Sequence, residues 1–305
     1  MSKIAFVFPG QGAQYAGMGK DFYENSETAK AVFHQASEVT GLDIPALCFE
    51  ENENLNQTKY TQIAMVTTEV AILKVLEEKG IRPEVTAGLS LGEYSAIVAS
   101  GAMKAEDAFK TVLHRGAFMQ EAVPEGGAMA AVLGLDYPVI EEVLAGIDGE
   151  VSIANYNCPG QIVITGWTDA IEKATQPLKD AGARRVLPLK VSGPFHSRLL
   201  KGAGEKLGEV LKDVEVSEFT IPYVANLTAD YVCEAAPVKE LLIKQVSSPV
   251  RFQQSVERMV ADGVDTFIEI GPGKTIAGFV RKISPESKVI NIDKWEDLAK
   301  CLEEL

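Results

Sequence analysis

The hydrophobic pattern of this chain predicts an α/β fold, and three observations carry that prediction. Short, near-continuous apolar runs rich in β-formers (Lys3–Phe8, Asp265–Ile270, Val289–Ile292) read as strands buried on both faces, the signature of a parallel sheet. Between them lie stretches with apolar residues at helical spacing. From 127 to 191 the order changes to strand, helix, strand, strand, helix, strand, which is the ferredoxin-like arrangement. The predicted organisation is a large parallel-sheet unit made of 1–126 and 192–305, with a ferredoxin-like unit of 127–191 inserted in it.

Taken in order, the first strand ends in Pro9-Gly10-Gln11-Gly12, a loop with free backbone N–H groups. It is not a dinucleotide fingerprint, because Tyr15 stands where a third small residue is needed. Residues 20–48 read as helical, with Phe22, Ala29, Val32, Phe33, Ala36 and Val39 on one side and Gly41 near the end. Tyr60–Lys79 predicts a long, mostly buried helix stopped at Gly80, and Ala105–Ala122 an amphipathic one. Within the latter, Arg115 reads as a surface arginine. Gly116, at a cost of about 1 kcal/mol in a helix, suggests close approach of another element. Pro124–Gly127 breaks the composition, and the inserted unit follows with strands over 128–135, 151–155, 161–166 and 185–191. Its helices are expected over 137–144 and 168–181. Beyond it come a helix (198–211), a strand (Ile221–Thr228) and helices over 238–246 and 252–262. Gly271-Pro-Gly-Lys-Thr275 leads from the strand ending at Ile270 into a further helix. It lacks the first glycine of a phosphate loop, since Ile268 stands there. A terminal helix (295–305) closes the chain.

At 305 residues, 46% hydrophobic and 24% charged, the composition is that of a globular protein with a substantial core. A net charge of −14 argues against a nucleic-acid partner, which would need clustered basic surface. No apolar run is long enough to span a membrane, and the N-terminal run reads as a core strand rather than a leader. Cys48, Cys158, Cys233 and Cys301 lie far apart, which disfavours a zinc site or a disulfide framework and suits a reducing cytoplasm.

The chemistry is concentrated at Gly88-Leu89-Ser90-Leu91-Gly92, between an apolar run and a helix-forming one. This is the pattern of a nucleophile elbow, and it makes the large unit α/β-hydrolase-like. Small residues on either side let the backbone turn tightly and present the Ser90 hydroxyl, and the following helix aims its first N–H groups, led by Leu91, at a developing oxyanion. Only His34, His114 and His196 are available as a base. His196 follows a strand and a Gly-Pro turn, on a loop at an element boundary, and is the choice; His114 is disfavoured by its neighbour Arg115. Asp148, Asp169 and Asp180 fall between serine and histidine but read as surface residues of the insertion. A Ser–His pair oriented by a neutral acceptor is therefore the working arrangement. An acyltransferase, a thioesterase and a silent scaffold all remain open on these residues.

In order along the chain stand Phe8-Pro-Gly-Gln-Gly12, Gly88-Leu-Ser-Leu-Gly-Glu-Tyr94, Arg115-Gly with Met119-Gln-Glu-Ala122, Asn155-Tyr-Asn-Cys-Pro-Gly-Gln161, Gly193-Pro-Phe-His196 and Gln245-Val-Ser-Ser-Pro-Val250. With these motifs the chain resembles the malonyl-CoA:acyl carrier protein transacylases over essentially its whole length. The resemblance implies Ser90 as nucleophile, His196 as general base and the backbone N–H groups of Gln11 and Leu91 as oxyanion hole. It implies that the main-chain carbonyl of Gln245 accepts the imidazole N–H. Arg115 would grip the malonyl carboxylate, contrary to the surface reading of its own helix. Phe195 resembles the bulky choice of malonyl-selective relatives and would crowd an α-methyl branch. Asn155 and Gln161 match without an assigned role, and Leu89 departs from the histidine common before the serine. The implied partners are malonyl-CoA or CoA and an acidic acyl carrier protein, with no cofactor, no metal and a monomeric chain in the cytoplasm. Because the chain is itself acidic, docking needs a local basic patch, expected from Arg184, Arg185, Lys190, Arg198, Lys201 and Lys206.

Overall fold

The computed structural model describes residues 2–191 and 193–305; Met1 and Ser192, the expected point of return to the larger unit, lie outside them. Along the chain run β1 (Ile4–Phe8), α1 (Lys20–Asn25), α2 (Glu27–Thr40), α3 (Ile44–Phe49), α4 (Thr58–Glu78), β2 (Val85–Gly88), α5 (Gly92–Ala99) and α6 (Ala105–Ala122). The middle supplies β3 (Gly127–Leu133), α7 (Tyr137–Ala145), β4 (Val151–Cys158), β5 (Gln161–Trp167), α8 (Thr168–Asp180) and β6 (Arg185–Pro188). The remainder forms α9 (Lys201–Leu211), β7 (Tyr223–Val224), β8 (Tyr231–Val232), α10 (Val238–Gln245), α11 (Phe252–Ala261), β9 (Thr266–Ile270), α12 (Thr275–Ile283), β10 (Lys288–Ile292) and α13 (Trp295–Glu304).

The first sheet has the order β10-β9-β1-β2-β7-β8 and is parallel except where β8 returns beside β7. Being central, β1 buries both of its faces. Ala5 and Val7 pack with Val85, Phe267 and the α11 and α12 side chains, while Phe6 and Phe8 face the opposite core of α4, α5 and α6. That two-sided burial is why its sequence is apolar without alternation. The second sheet, β4-β5-β3-β6, is antiparallel throughout. It alternates instead: Ala130, Val132, Ile162 and Ile164 pack under α7 and α8, whereas Met129, Ala131 and Val163 line a cleft against the first sheet's loops. One lattice of backbone bonds ties the sheets together. Val250 bridges Asn155, with the Val250 N–H donating to the Ala154 carbonyl (2.8 Å) and the Tyr156 N–H to the Val250 carbonyl (2.9 Å).

Three expectations change. The helical stretch 20–48 divides into three helices, because the Ser26 hydroxyl caps α2, Gly41 ends it in the left-handed region (φ 71°) and Asp43 caps α3. The strand expected over Ile221–Thr228 has only two residues in the sheet. After it the chain turns, with Ala229 at φ 54° and its N–H bonded to the Ala225 carbonyl, and comes back as β8, which the sequence pattern did not suggest. The last inserted strand stops at Pro188 rather than Val191. No helix of the described residues is long and apolar enough to cross a membrane.

Candidate active site

The elbow forms where β2 meets α5. Ser90 sits at φ 54°, a region costly for any residue with a Cβ, and the turn is held by contacts that only glycines permit. A Cβ on Gly88 would lie 2.0 Å from the Gly92 carbonyl carbon, and one on Gly92 would lie 2.2 Å from the Phe8 carbonyl oxygen. The strained serine is pinned from outside by Asn226. Its Oδ1 accepts the Ser90 N–H (2.7 Å) and its Nδ2 donates to the Gly88 carbonyl (2.6 Å), both from a fully buried side chain.

Among the described residues three non-glycines have positive φ, and the second is His196, at 59°. Its Nε2 lies 2.6 Å from Ser90 Oγ, and its Nδ1 lies 2.9 Å from the Gln245 carbonyl oxygen. A carbonyl can only accept, so Nδ1 carries the proton and the Nε2 lone pair faces the serine hydroxyl. Burial, and then the nearby Arg115 charge, push the imidazole down to about 4, so it is neutral and ready to take a proton at ordinary pH. Along the chain the residue next to Arg115 is His114. In space the neighbour is His196, while His114 is exposed and stacks on Phe118. His34 is exposed and contacts Tyr23.

Arg115 is not on the surface; it is 1% exposed. It falls on the buried stripe of α6, in register with Ala108, Val112 and Met119, and the adjacent Gly116 is why there is room. A Cβ at Gly116 would lie 2.8 Å from Lys59 Cα, so α6 packs directly on the backbone of α4. The guanidinium donates to Gln62 Oε1 (2.8 Å), Gln245 Oε1 (3.0 Å) and Ser90 Oγ (3.2 Å), while Nε has no partner. Gln245 is a hub. Besides its carbonyl on His196 and its Oε1 on Arg115, its Nε2 donates to the Ser90 carbonyl (2.7 Å) and to Glu93 Oε2 (2.8 Å).

These groups open into a cavity of about 260 Å³ between the two sheets. Gln11 and Leu91 line it, and among the described residues neither of their backbone N–H groups has an acceptor. Phe195, 6% exposed, walls it beside His196, and Leu89, Asn155, Asn157 and Gln161 add to its lining. Asn157 Oδ1 is buried without a partner. Asp148, Asp169 and Asp180 are exposed, the first just after α7 and the others on α8. Among the described residues no cluster of histidine, cysteine or carboxylate side chains is arranged to hold a metal ion.

Sequence reading missed three members of this constellation. Asn226 lay hidden in what reads as a core strand, Gln62 in a helix buried nearly all round, and Glu93 in the elbow motif itself. The one available signal was the buried stripe of α6, whose spacing places Arg115 inward.

A serine–imidazole pair on an elbow, at the C-terminal edge of a parallel sheet, defines a protein class that works by acyl transfer through a serine hydroxyl. The chain belongs to the acyl transferase domain family, whose model matches residues 5–288. It is 48% identical over 310 aligned residues, covering 100% of this chain and 98% of the relative, to a malonyl CoA-acyl carrier protein transacylase of Bacillus subtilis (strain 168). A crystal structure of a malonyl CoA-acyl carrier protein transacylase from Clostridium perfringens superposes with a TM-score of 0.96 at 45% identity, covering 99% of this chain and 97% of that one. A malonyl-transacylase solved in complex with a type II PKS acyl-carrier protein superposes equally well, TM-score 0.96 at 39% identity with full coverage of both chains.

Proposed function

We propose that this acyltransferase moves the malonyl group from malonyl-CoA to the phosphopantetheine thiol of an acyl carrier protein, through a malonyl ester of Ser90, for fatty-acid synthesis. The observation that carries the reading is a buried guanidinium whose Nη2 lies 3.2 Å from the nucleophilic oxygen and whose Nε has no partner. An acyl group that ends in a carboxylate fits such a site; a plain alkyl chain does not.

In the first half-reaction Ser90 Oγ attacks the thioester carbonyl carbon while its proton passes to His196 Nε2. The oxyanion that forms is met by the N–H groups of Gln11 and Leu91, each such donor being worth about 3 kcal/mol. The C–S bond then breaks, CoA leaves with the proton from Nε2, and malonyl-Ser90 remains. In the second half-reaction the carrier thiol gives its proton to His196 and its sulfur attacks the ester, and Ser90 leaves as the hydroxyl. The Gln245 carbonyl takes the place of a triad acid: it fixes the tautomer without adding charge. Phe195 crowds the α-carbon of the acyl group.

The reading extends to organisation. The larger unit, 1–126 with 192–305, is the α/β-hydrolase-like catalytic part, and 127–191 is a ferredoxin-like unit that walls the cleft. The polar groups of Asn155, Asn157 and Gln161 offer partners to the amides of a pantetheine arm. Arg184, Arg185, Lys190, Arg198, Lys201 and Lys206 are all exposed, as are Leu187 and Leu189 (41% and 38%); with Arg198 paired to Glu150 and Lys201 to Glu205, they offer basic and apolar contacts to an acidic carrier protein. One chain holds every group the chemistry uses, so a cytoplasmic monomer with no cofactor beyond its substrates suffices.

The test is the intact mass of the protein after brief exposure to malonyl-CoA alone. A malonyl adduct, absent in Ser90→Ala and no longer favoured over acetyl in Arg115→Ala, supports the reading. Free malonate without an adduct would mean a thioesterase, and neither product would mean a scaffold.

A further inference from the structure

Beneath the serine lies an acid that the mechanism above does not use. Glu93 is 1% exposed, in the first turn of α5. Its Oε2 accepts from Gln245 Nε2 (2.8 Å) and from the Asn226 N–H (3.3 Å), and its Oε1 has no hydrogen-bond partner. Gln245 connects this carboxyl to Arg115, since its Oε1 accepts from the guanidinium while its Nε2 donates to Glu93. Among the described residues no carboxylate forms an ion pair with Arg115, and Glu93 is the acid whose field it feels. The site therefore holds one buried cation and one buried acid, joined through a neutral amide.

We propose that Glu93 is a proton-accepting countercharge: when a malonyl carboxylate docks on Arg115, Glu93 takes up one proton from solvent, and it returns that proton when the malonyl group leaves. The inference rests on the malonyl reading of Arg115. Once the substrate is bound, two carboxylates share one guanidinium in a site poor in water, and like charges at that range cannot both be kept. The incoming carboxylate makes direct hydrogen bonds to the cation, whereas Glu93 is one amide away and has an oxygen with nothing to lose by protonation. Burial already raises Glu93 to about 7, so a small added repulsion decides its state at neutral pH. The other groups around it do not compete. Tyr223 of β7 and Tyr94 of α5 are pushed further up and stay protonated, Gln245 of α10 is neutral, and His196 is neutral above about 4. Glu93 touches no reacting atom, so it is a positioning residue acting through Gln245.

The experiment is calorimetric binding of malonyl-CoA and of acetyl-CoA to Ser90→Ala, in buffers of differing ionisation enthalpy. Acetyl-CoA carries the same nucleotide phosphates and cancels their protonation. With a rise of about two units on binding, malonyl-CoA takes up about 0.7 proton more than acetyl-CoA at pH 7.5. The preference for malonyl over acetyl falls roughly fortyfold between pH 6.5 and 9. Adding Glu93→Gln abolishes both effects. Should that variant not fold, difference infrared spectra of Ser90→Ala still report the loss of one carboxylate band and the gain of one carboxylic-acid band on malonyl binding. Preferential malonyl binding without excess proton uptake, or uptake that survives Glu93→Gln, overturns the countercharge and leaves the clamp standing. No preference for malonyl overturns the clamp, and the countercharge falls with it.

Discussion

Replacing Asn226 with alanine removes two hydrogen bonds from the turn that carries Ser90, at 2.7 and 2.6 Å, and puts nothing in their place. The stranded groups are the Ser90 N–H and the Gly88 carbonyl, with Gly88 fully inside. Each such group costs about 1–3 kcal/mol, so Asn226→Ala is expected to lower unfolding free energy by roughly 2–6 kcal/mol, measured by urea denaturation. The functional effect is separate and more informative. Ser90 is held at φ 54°, a conformation worth about 1–2 kcal/mol of strain, against which the Asn226 clamp is one of the restraints. With that restraint gone the turn relaxes toward negative φ and carries Oγ away from its 2.6 Å contact with His196. A displacement of about 1 Å is enough to cost on the order of a hundredfold in rate. The assay is the pre-steady-state rate of malonyl-Ser90 formation, read by quenched-flow mass spectrometry well below the denaturation midpoint. A variant that loses stability but loads within about threefold of the parent would refute the argument, because the clamp would then be scaffolding only.

Four further outcomes are expected. Since His196 is held near 4 and must be deprotonated to act, loading stays level as pH falls through 6.5 and drops only toward 4; Arg115→Ala, which removes one of the depressing charges, moves that drop to higher pH in the pH–rate profile. Charge reversal at Arg185 and Lys190 weakens transfer to the carrier protein, read as a raised KM for it, and leaves malonyl loading from CoA unchanged. Gly116→Ala pushes a methyl to 2.8 Å from Lys59 Cα and should cost about 1–3 kcal/mol in chemical denaturation, although alanine is the better helix former. Glu69 is buried against Ser95 Oγ (2.5 Å) with its carboxyl raised well above the usual carboxylate range. Its folded form therefore holds a proton that the unfolded chain loses near 4.3, and stability falls as pH rises above that value. Glu69→Gln should stabilise the fold more at pH 8 than at pH 5, checked by thermal melts at both.

What could be read from the chain was whatever local chemistry dictates. The elbow declares itself because its glycines are adjacent in sequence, and α6 begins and ends at the predicted residues because its periodicity and the break at Pro124 are local. His196 could be found because the chain offers so few imidazoles. The constellation itself is a matter of long-range geometry. Ser90 meets His196 across 106 positions, Asn226 across 136 and Gln245 across 155. Arg115 was misread in its own helix because a charged residue on an apolar stripe reads as surface until its partners are known, and Gln62 and Gln245 come from other helices. Asn226 was missed for a different reason. The apolar run from Ile221 gives no sign that pairing stops at Val224 and that the chain just beyond places an amide against the Ser90 turn.

The bridge between Asn155 and Val250 has a mechanical corollary. The β4 edge of the cleft is stitched to the segment just beyond Gln245, so that edge cannot swing outward without tugging on the peptide that steers the imidazole. The wall of the cleft and the carbonyl that sets the tautomer are thus parts of one stitched unit, and a change that loosens the first is felt at the second.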